Sequence, residues 1–175
     1  FMTQTPASTQ KQQRDFYDKL SSGVHERKVL SCGFEERYNP RLLLDNDRAR
    51  ERFESIYCRV MGETKRECIL DVCAGSGIHL PLLSPHAKTV IGIDISKGLL
   101  LHAKTVSKQI ELTNIQLVQA GAESMPLREN TCDGFIMIDA LHHVENQLAV
   151  LEEIRRVATR EAFFLLVEPN VGNPL

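Results

Sequence analysis

The sequence lacks tryptophan, a long apolar run, an excess of basic residues and a pair of cysteines at zinc-binding spacing. The longest apolar run near the carboxyl end, Ala162 to Val167, is far shorter than the roughly 20 residues of a membrane helix. The first residues show no basic segment followed by an apolar one, as a secretion signal would. These absences predict a protein that neither spans a membrane nor is secreted.

Charge and cysteine usage exclude further classes of protein. Lys and Arg number 21 against 23 Asp and Glu, so there is no basic field of the kind that nucleic-acid binding requires, and no nucleic-acid partner is expected. The five cysteines are odd in number and scattered, at positions 32, 58, 68, 73 and 132, which disfavours a disulfide framework. His79, His86 and His102 have no ligand spacing either, so we predict no metal and a reducing, cytoplasmic setting.

The chain is long enough for one domain with a sizeable core, since its 175 residues are 42% hydrophobic and 25% charged. We predict that residues 1–45 form an N-terminal arm or lid, partly disordered, with a short helix over Gln10 to Leu20. Residues 46–175 are predicted to form the core, which begins with an amphipathic helix from Asp47 to Met61 that stops at Gly62.

Beyond that helix, short apolar runs alternate with helical patterns. The runs predict five buried strands, at 69–72, 90–93, 115–118, 135–138 and 162–167. Helices are predicted over 78–83, 96–109 and 145–158, and the last would bury Leu148, Leu151, Ile154 and Val157. This alternation predicts a doubly wound α/β fold, a mostly parallel sheet with helices on both faces.

A glycine turn after the first strand carries the first chemical signal. The segment Ile69 to Gly77 is an apolar strand that runs into Gly75 and Gly77 and opens a helix, as in a nucleotide cradle. The free N–H groups of that helix would face an anionic group. The second strand ends at Asp94, at a spacing where a carboxylate meets ribose hydroxyls.

A nicotinamide dinucleotide would suit the same acidic residue, so an NAD-dependent oxidoreductase is one alternative. Its motif places a third glycine where this chain has Leu80, and the Gly-Lys-Ser/Thr of a phosphate-binding loop is missing too. Both of these interpretations are disfavoured.

Five ordered blocks carry a resemblance to a known family. They are Leu70 to Gly77, Val90 to Ser96, Ala122 to Leu127, Cys132 to Gly134 leading to Ala140 to Val144, and Glu168 to Asn170. In these blocks the chain resembles class I S-adenosylmethionine-dependent methyltransferases, in particular the small-molecule branch with the ubiquinone and menaquinone methyltransferases. The resemblance implies a Rossmann-like fold and S-adenosylmethionine as the cofactor, with S-adenosylhomocysteine as its product.

The same resemblance implies a set of cofactor-binding residues. Around the methionine part it implies Asp71, Ala74, Gly75 and Gly77; at the ribose, Asp94; at the adenine, Ile95, Ala122 and Glu123; and near the sulfonium, Asp139 and Leu141. Two positions depart from the family pattern. Cys73 replaces the first turn glycine, and Gly121 replaces an acidic residue that would accept from the adenine amino group, a role that Glu123 would take over.

The implied reaction is transfer of a methyl group to a small-molecule acceptor by in-line displacement at an oxygen, nitrogen or carbon nucleophile. Holding the nucleophile and the methyl group in line is much of that task. Where a general base is needed, the candidates are Asp139, His142 and His143, although the histidines also suit packing and helix entry. The alternative is a methyltransferase-like subunit that binds or scaffolds without catalysis.

The resemblance also implies seven strands, of which this sequence contains five. We therefore expect a C-terminally truncated core that lacks the last two strands, and a homodimer or partner that covers the edge of the fifth strand. Residues that select the acceptor lie in the arm and in later loops of such folds, so the acceptor stays undetermined by the sequence.

Overall fold

A parallel sheet of five strands organises the computed structural model, which describes residues 6–25 and 41–169. The strands lie in the order β3-β2-β1-β4-β5, and every pairing is parallel. Their bounds are β1 Arg66–Val72, β2 Ala87–Asp94, β3 Ile115–Gln119, β4 Cys132–Ile138 and β5 Ala158–Val167. The predicted doubly wound sheet is confirmed, and the chain reverses its direction of winding at β1.

The helices agree with the predicted ones in number and order from residue 47 onwards. They are α1 Pro6–His25, α2 Arg41–Asp45, α3 Asp47–Met61, α4 Leu80–Leu83, α5 Lys97–Gln109 and α6 Gln147–Val157, with 3-10 turns at Ser84–His86 and Leu141–His143. The side chain of Asn46 caps α3 by accepting from Ala49 N at 3.0 Å, a contact worth about 1 kcal/mol. The chain leaves α3 at Gly62, as predicted.

Helices cover both faces of the sheet because the strand side chains alternate between two apolar clusters. Leu70 and Val72 of β1 belong to a cluster completed by α6, and Ile69 belongs to one completed by α3, α4 and α5. Tyr57 and Phe135 are the largest side chains with almost no exposed surface, one in each cluster. The sheet is thus buried between two layers, as parallel sheets require.

The buried face of α6 differs from the predicted one. Leu148 and Leu151 are 66% and 41% exposed, whereas Val150, Ile154 and Val157 are buried against the sheet. Positions 150, 154 and 157 form one stripe of the helix, while 148 and 151 lie on an adjacent stripe at the same apolar spacing. Ile154 and Val157 are therefore buried as predicted, and Val150 is buried where Leu148 and Leu151 were expected.

Strand β5 pairs only with β4 among the described residues. Its side chains Phe164 and Leu166 are 38% and 39% exposed. The partner or second copy expected at this edge stays a prediction.

The N-terminal helix α1 is longer than predicted and packs against α5. The Asp18 carboxylate accepts from Ser96 Oγ at 2.6 Å and from Gly98 N at 2.9 Å, so it caps α5 from a segment 78 residues away. The arm residues 1–5 and 26–40, with Cys32, lie outside the described residues, and the boundary at 45 stays a prediction.

Gly98 allows this close contact, and its replacement offers a test. A Cβ at Gly98 would lie 1.8 Å from Ser21 Oγ, so Gly98→Ala should push α1 away from α5 at a cost of about 1–3 kcal/mol. We expect at least tenfold faster hydrogen exchange over residues 10–21, with α5 itself intact because alanine favours a helix. Gly98→Ala combined with Ser21→Ala removes the clashing oxygen and should restore part of the protection, since the new Cβ would still lie 2.9 Å from the Cβ of residue 21. Unchanged exchange in the single variant would contradict this packing.

Candidate functional site

The carboxyl ends of the strands open into a cavity of about 470 Å³ between the sheet and α1. Acidic side chains stand at three of these ends: Asp71 is the penultimate residue of β1, Asp94 is the last residue of β2, and Asp139 follows β4. Ligands of open α/β sheets bind at this edge, where the strand order reverses. The cavity is therefore the candidate functional site.

Most of the predicted cofactor residues line this cavity. Eight of them do so: Asp71, Ala74, Gly75, Asp94, Ile95, Ala122, Glu123 and Asp139. Gly77 and Leu141 lie outside the lining. Leu141 packs on the apolar cluster beneath α6, and a Cβ at Gly77 would lie 2.6 Å from Leu80 Cδ1, so this glycine is needed for packing of the turn.

The glycine turn is held by backbone and carboxylate contacts. Ala74 N donates to Ile93 O at 2.8 Å, which ties the turn to the neighbouring strand. Cys73 occupies the left-handed region with φ of 59°, where the family pattern has glycine. The helix that follows begins at Leu80 and has four residues, whereas the sequence predicted its start at Ile78; residues 75–79 form turns.

Asp94 organises this loop through both carboxylate oxygens. Oδ2 accepts from Gly75 N at 2.8 Å, and Oδ1 accepts from Ser96 N at 2.8 Å. Each oxygen keeps a lone pair, since a carboxylate offers about four acceptor sites. Burial raises the pKa of Asp94, and the backbone N–H groups of Ser96, Gly75 and Ile95 counteract that rise. The carboxylate lines the cavity and keeps acceptor capacity for a hydroxyl group of a ligand.

Asp71 is buried more deeply and has weaker support. Its side chain is 4% exposed, and Oδ2 has no hydrogen-bond partner among the described residues. Burial, and then the charge of Asp94, raise the pKa of Asp71 to about 8. A ligand that brings a positive charge would stabilise the ionised form of this buried, unpartnered carboxyl group.

A histidine–carboxylate pair closes the β4 and β5 end of the cavity. His142 Nδ1 lies 2.6 Å from Glu168 Oε2, and Glu168 Oε1 accepts from Leu141 N at 2.8 Å and Ala140 N at 3.1 Å. Burial acts to raise the pKa of Glu168, but these contacts outweigh it and the pKa falls below its ordinary value. The pair resembles the arrangement in which a carboxylate orients a general base.

The predicted candidates for a base therefore differ in their surroundings. His143 stacks 4.0 Å from His142 between ring centroids, and its carbonyl accepts from Gln13 of α1. Burial, and then the neighbouring His142, lower the pKa of His143. Asp139 is exposed at the strand end with φ of 50°. Of these three, His142 alone has a carboxylate partner within the part of the chain that the structure describes.

Sequence reasoning gave no site role to Glu168 or to the α1 side chains. Glu168 is the first acidic residue after β5, so the strand-end pattern that found Asp71 and Asp94 could have found it. Gln10, Gln13 and Tyr17 also line the cavity, and no pattern within α1 indicates that they do. Their position depends on the contact of α1 with α5.

Gly121 leaves space that two polar side chains border. A Cβ there would lie 3.4 Å from Glu123 Oε2 and 4.0 Å from the Gln10 amide. The Glu123 carboxylate thus lies next to Gly121, the position where the family pattern has an acidic residue. From the sequence, Glu123 is expected to replace that residue as an acceptor.

Comparison with known proteins decides the family. The model of the methyltransferase domain family matches residues 70–166, which are more than half of the chain and run from within β1 to near the end of β5. The chain belongs to the class I methyltransferase family. This match also decides against the NAD-dependent oxidoreductase alternative.

Relatives and solved structures agree with this membership. The methyltransferase domain is 36% identical over 94 residues to a demethylmenaquinone methyltransferase of Oceanobacillus iheyensis, covering 52% of this chain and 40% of that protein. It is 32% identical over 105 residues to the ubiquinone/menaquinone biosynthesis C-methyltransferase UbiE of Coxiella burnetii, covering 57% and 42%. A SAM dependent methyltransferase from Aquifex aeolicus shares the fold, with a TM-score of 0.62, 22% identity, and 88% and 77% coverage.

This methyltransferase chain matches only about 40% of the length of those curated relatives. Within residues 6–25 and 41–169, none of its helices combines the length and the apolar composition needed to cross a membrane. Over the same ranges, no group of three His, Cys, Asp or Glu side chains is placed to hold a metal ion.

Proposed function

We propose that the protein binds S-adenosylmethionine and transfers its methyl group to a small-molecule acceptor of the quinone type. The observation that carries the proposal is the buried carboxylate of Asp71, with an unpartnered oxygen, beside Asp94 at the cavity. The acceptor class is inferred from the relatives, whose names describe demethylmenaquinone and ubiquinone/menaquinone methyltransferases.

The residues present fit this cofactor. Asp71 Oδ2 would accept from the ammonium of the methionine part, and the free lone pairs of Asp94 would accept from the ribose hydroxyls. Ile95 and Ala122 would pack on the adenine, with Glu123 at its amino group. S-adenosylmethionine supplies a methyl carbon that is already activated by the positive sulfur.

The remaining work of the protein is to orient the acceptor and take its proton. His142 lines the cavity, and Glu168 holds its Nδ1, so we assign His142 as the general base that accepts a hydroxyl proton at Nε2. The Glu168 carboxylate would stabilise the imidazolium that forms. Asp139 and His143, at the mouth of the cavity, would contribute to the orientation of the acceptor.

Titration calorimetry with S-adenosylhomocysteine tests the binding step of this proposal. We expect one site per chain, with micromolar or tighter affinity. A folded full-length protein that does not bind would refute the proposal. Binding without methylation of any acceptor from metabolite extracts would instead support the alternative of a non-catalytic binding subunit.

Replacement of His142 tests the assignment of the base. His142→Asn should lower kcat with demethylmenaquinone in its reduced form by about 10²–10³ and leave cofactor affinity unchanged, because only proton transfer is lost. Glu168→Gln should show a similar loss, and the double variant no further loss, because both residues serve one step. A larger loss in His143→Asn than in His142→Asn would contradict the assignment.

A further inference from the structure

His79 lines the cavity but has no part in the proposed function so far. It ends the turn that follows β1 and immediately precedes α4, so its backbone position is set by the glycine turn. Its ring meets Phe53 edge-on with 4.8 Å between centroids, which holds one side of the imidazole against the apolar cluster. The ring is therefore a fixed part of the wall.

The hydroxyl of Tyr57 determines which nitrogen of His79 carries the proton. Tyr57 Oη lies 2.8 Å from His79 Nδ1, and Tyr57 is completely buried. Burial, and then the charge of Asp71, raise the pKa of Tyr57, so the phenol keeps its proton. If Nδ1 were the donor, this buried O–H would have no acceptor among the described residues, which is costly. Tyr57 therefore donates to Nδ1.

This hydrogen bond places the ring proton on Nε2. Burial lowers the pKa of His79 to about 4, so the imidazole is neutral near pH 7 and carries a single N–H. Nε2 has no hydrogen-bond partner in the part of the chain that the structure describes. The cavity wall thus contains one neutral donor whose direction is set from behind by Tyr57.

An acceptor belongs to the same part of the cavity. Asp71 and His79 both line this cavity, together with Gly75 and Ser76 of the turn that connects them. Asp71 Oδ2 and Ser76 Oγ are buried without a partner among the described residues. An α-amino acid group has an ammonium, which needs an acceptor, and a carboxylate, which needs a donor. The unpaired acid and the N–H donor would supply these two partners side by side.

We propose that His79 Nε2–H binds the α-carboxylate of the methionine part of the cofactor, and that Tyr57 is the positioning residue that fixes this donor. The proposal rests on the proposed function and adds a recognition element for the carboxylate. A neutral imidazole suits this role, because a fixed N–H binds an anion without the cost of a buried charge.

A ligand pair that differs only in the carboxylate tests the proposal. Calorimetry with the full-length protein compares S-adenosylhomocysteine with its decarboxylated analogue, S-adenosyl-3-thiopropylamine. The wild type should prefer the carboxylated ligand by about ten- to a hundredfold, as expected for a hydrogen bond to a charged group. His79→Ala should reduce this preference to about threefold or less by weakening only the carboxylated ligand. His79→Gln, which retains an N–H donor, should recover part of it.

Tyr57→Phe tests the positioning role, since it removes only the hydroxyl. We expect an intermediate preference and, in nitrogen-15 spectra of the imidazole, a shift from the pure Nε2–H tautomer to a mixture. His86→Ala is the matched control, because His86 lies beyond α4 and outside the cavity lining. Its ligand preference should equal that of the wild type.

The outcomes separate the two proposals. If the wild type binds neither ligand, the proposed function fails and this inference fails with it. If the wild type binds and His79→Ala keeps the full preference, or loses affinity for both ligands equally, only the inference is overturned. An Nδ1–H tautomer in the unliganded wild type would overturn it as well, even if the variants do not fold.

Discussion

Asp71→Asn should stabilise the protein at pH 7 by about 1–3 kcal/mol while weakening its affinity for S-adenosylhomocysteine at least tenfold. The pKa of Asp71 rises from the ordinary 3.8 to about 8 in the fold. The stability that Asp71 contributes to the fold is fully present below pH 3.8 and is lost as the pH rises through 8. Asparagine mimics the protonated acid, so it removes this loss and also removes the charge that would bind the ammonium.

Two measurements check this prediction together. Denaturant unfolding at several values of pH between 4 and 8 should show a declining stability for the wild type and a flatter profile for Asp71→Asn. Calorimetry in buffers of different ionisation enthalpy should show up to about one proton released on binding at pH 7 by the wild type and fewer by the variant. Affinity of the wild type should accordingly rise with pH up to about 8.

A matched substitution on the same strand separates the site from the strand. Glu67 lies at the opposite end of β1, where it forms an exposed contact with Lys88. Glu67→Gln also removes one carboxylate charge from β1, and it should change neither stability nor affinity measurably. A loss of stability in Asp71→Asn, or an affinity equal to that of the wild type, would contradict the assignment of Asp71 as a buried, unsatisfied acceptor for a cation.

The strand ends were predictable because the pattern that reveals them is local. An apolar run followed by an acidic residue marks both Asp71 and Asp94, and parallel strands bring their carboxyl ends to one edge. The amino ends of four strands were predicted too late in the chain, whereas β3 begins at Ile115 as predicted. β1 begins at Arg66 rather than Ile69, and β5 at Ala158 rather than Ala162, since the ladder continues under side chains that lie outside the apolar core.

The contacts that complete the cavity were beyond the sequence because they join distant residues. Asp18 reaches Ser96 and Gly98 across about 80 positions, and the Tyr57–His79 pair joins α3 to the turn before α4, which no short motif connects. Each partner alone has an ordinary explanation as a surface acid or a core aromatic residue. Only the packed arrangement shows that they shape one site.

Asp94→Ala should lower the affinity for S-adenosylhomocysteine more than a hundredfold and cost about 2–4 kcal/mol of stability. The carboxylate accepts from both Gly75 N and Ser96 N at 2.8 Å, so its loss leaves two N–H groups without an acceptor and releases the glycine turn. Asp94→Asn keeps one acceptor oxygen but turns an NH₂ group towards an N–H donor, so it should lose most of the affinity as well.

A matched control and a modified ligand separate the binding role of Asp94 from its structural role. Asp133 also accepts two backbone N–H groups, from Glu67 at 3.0 Å and Cys68 at 2.9 Å, but at the opposite edge of the sheet. Asp133→Ala should therefore lose stability without losing affinity. The wild type should bind the 2′-deoxy analogue of S-adenosylhomocysteine at least tenfold more weakly, while Asp94→Asn should bind both ligands equally. If that variant still discriminates between them, Asp94 organises the loop and another group holds the ribose.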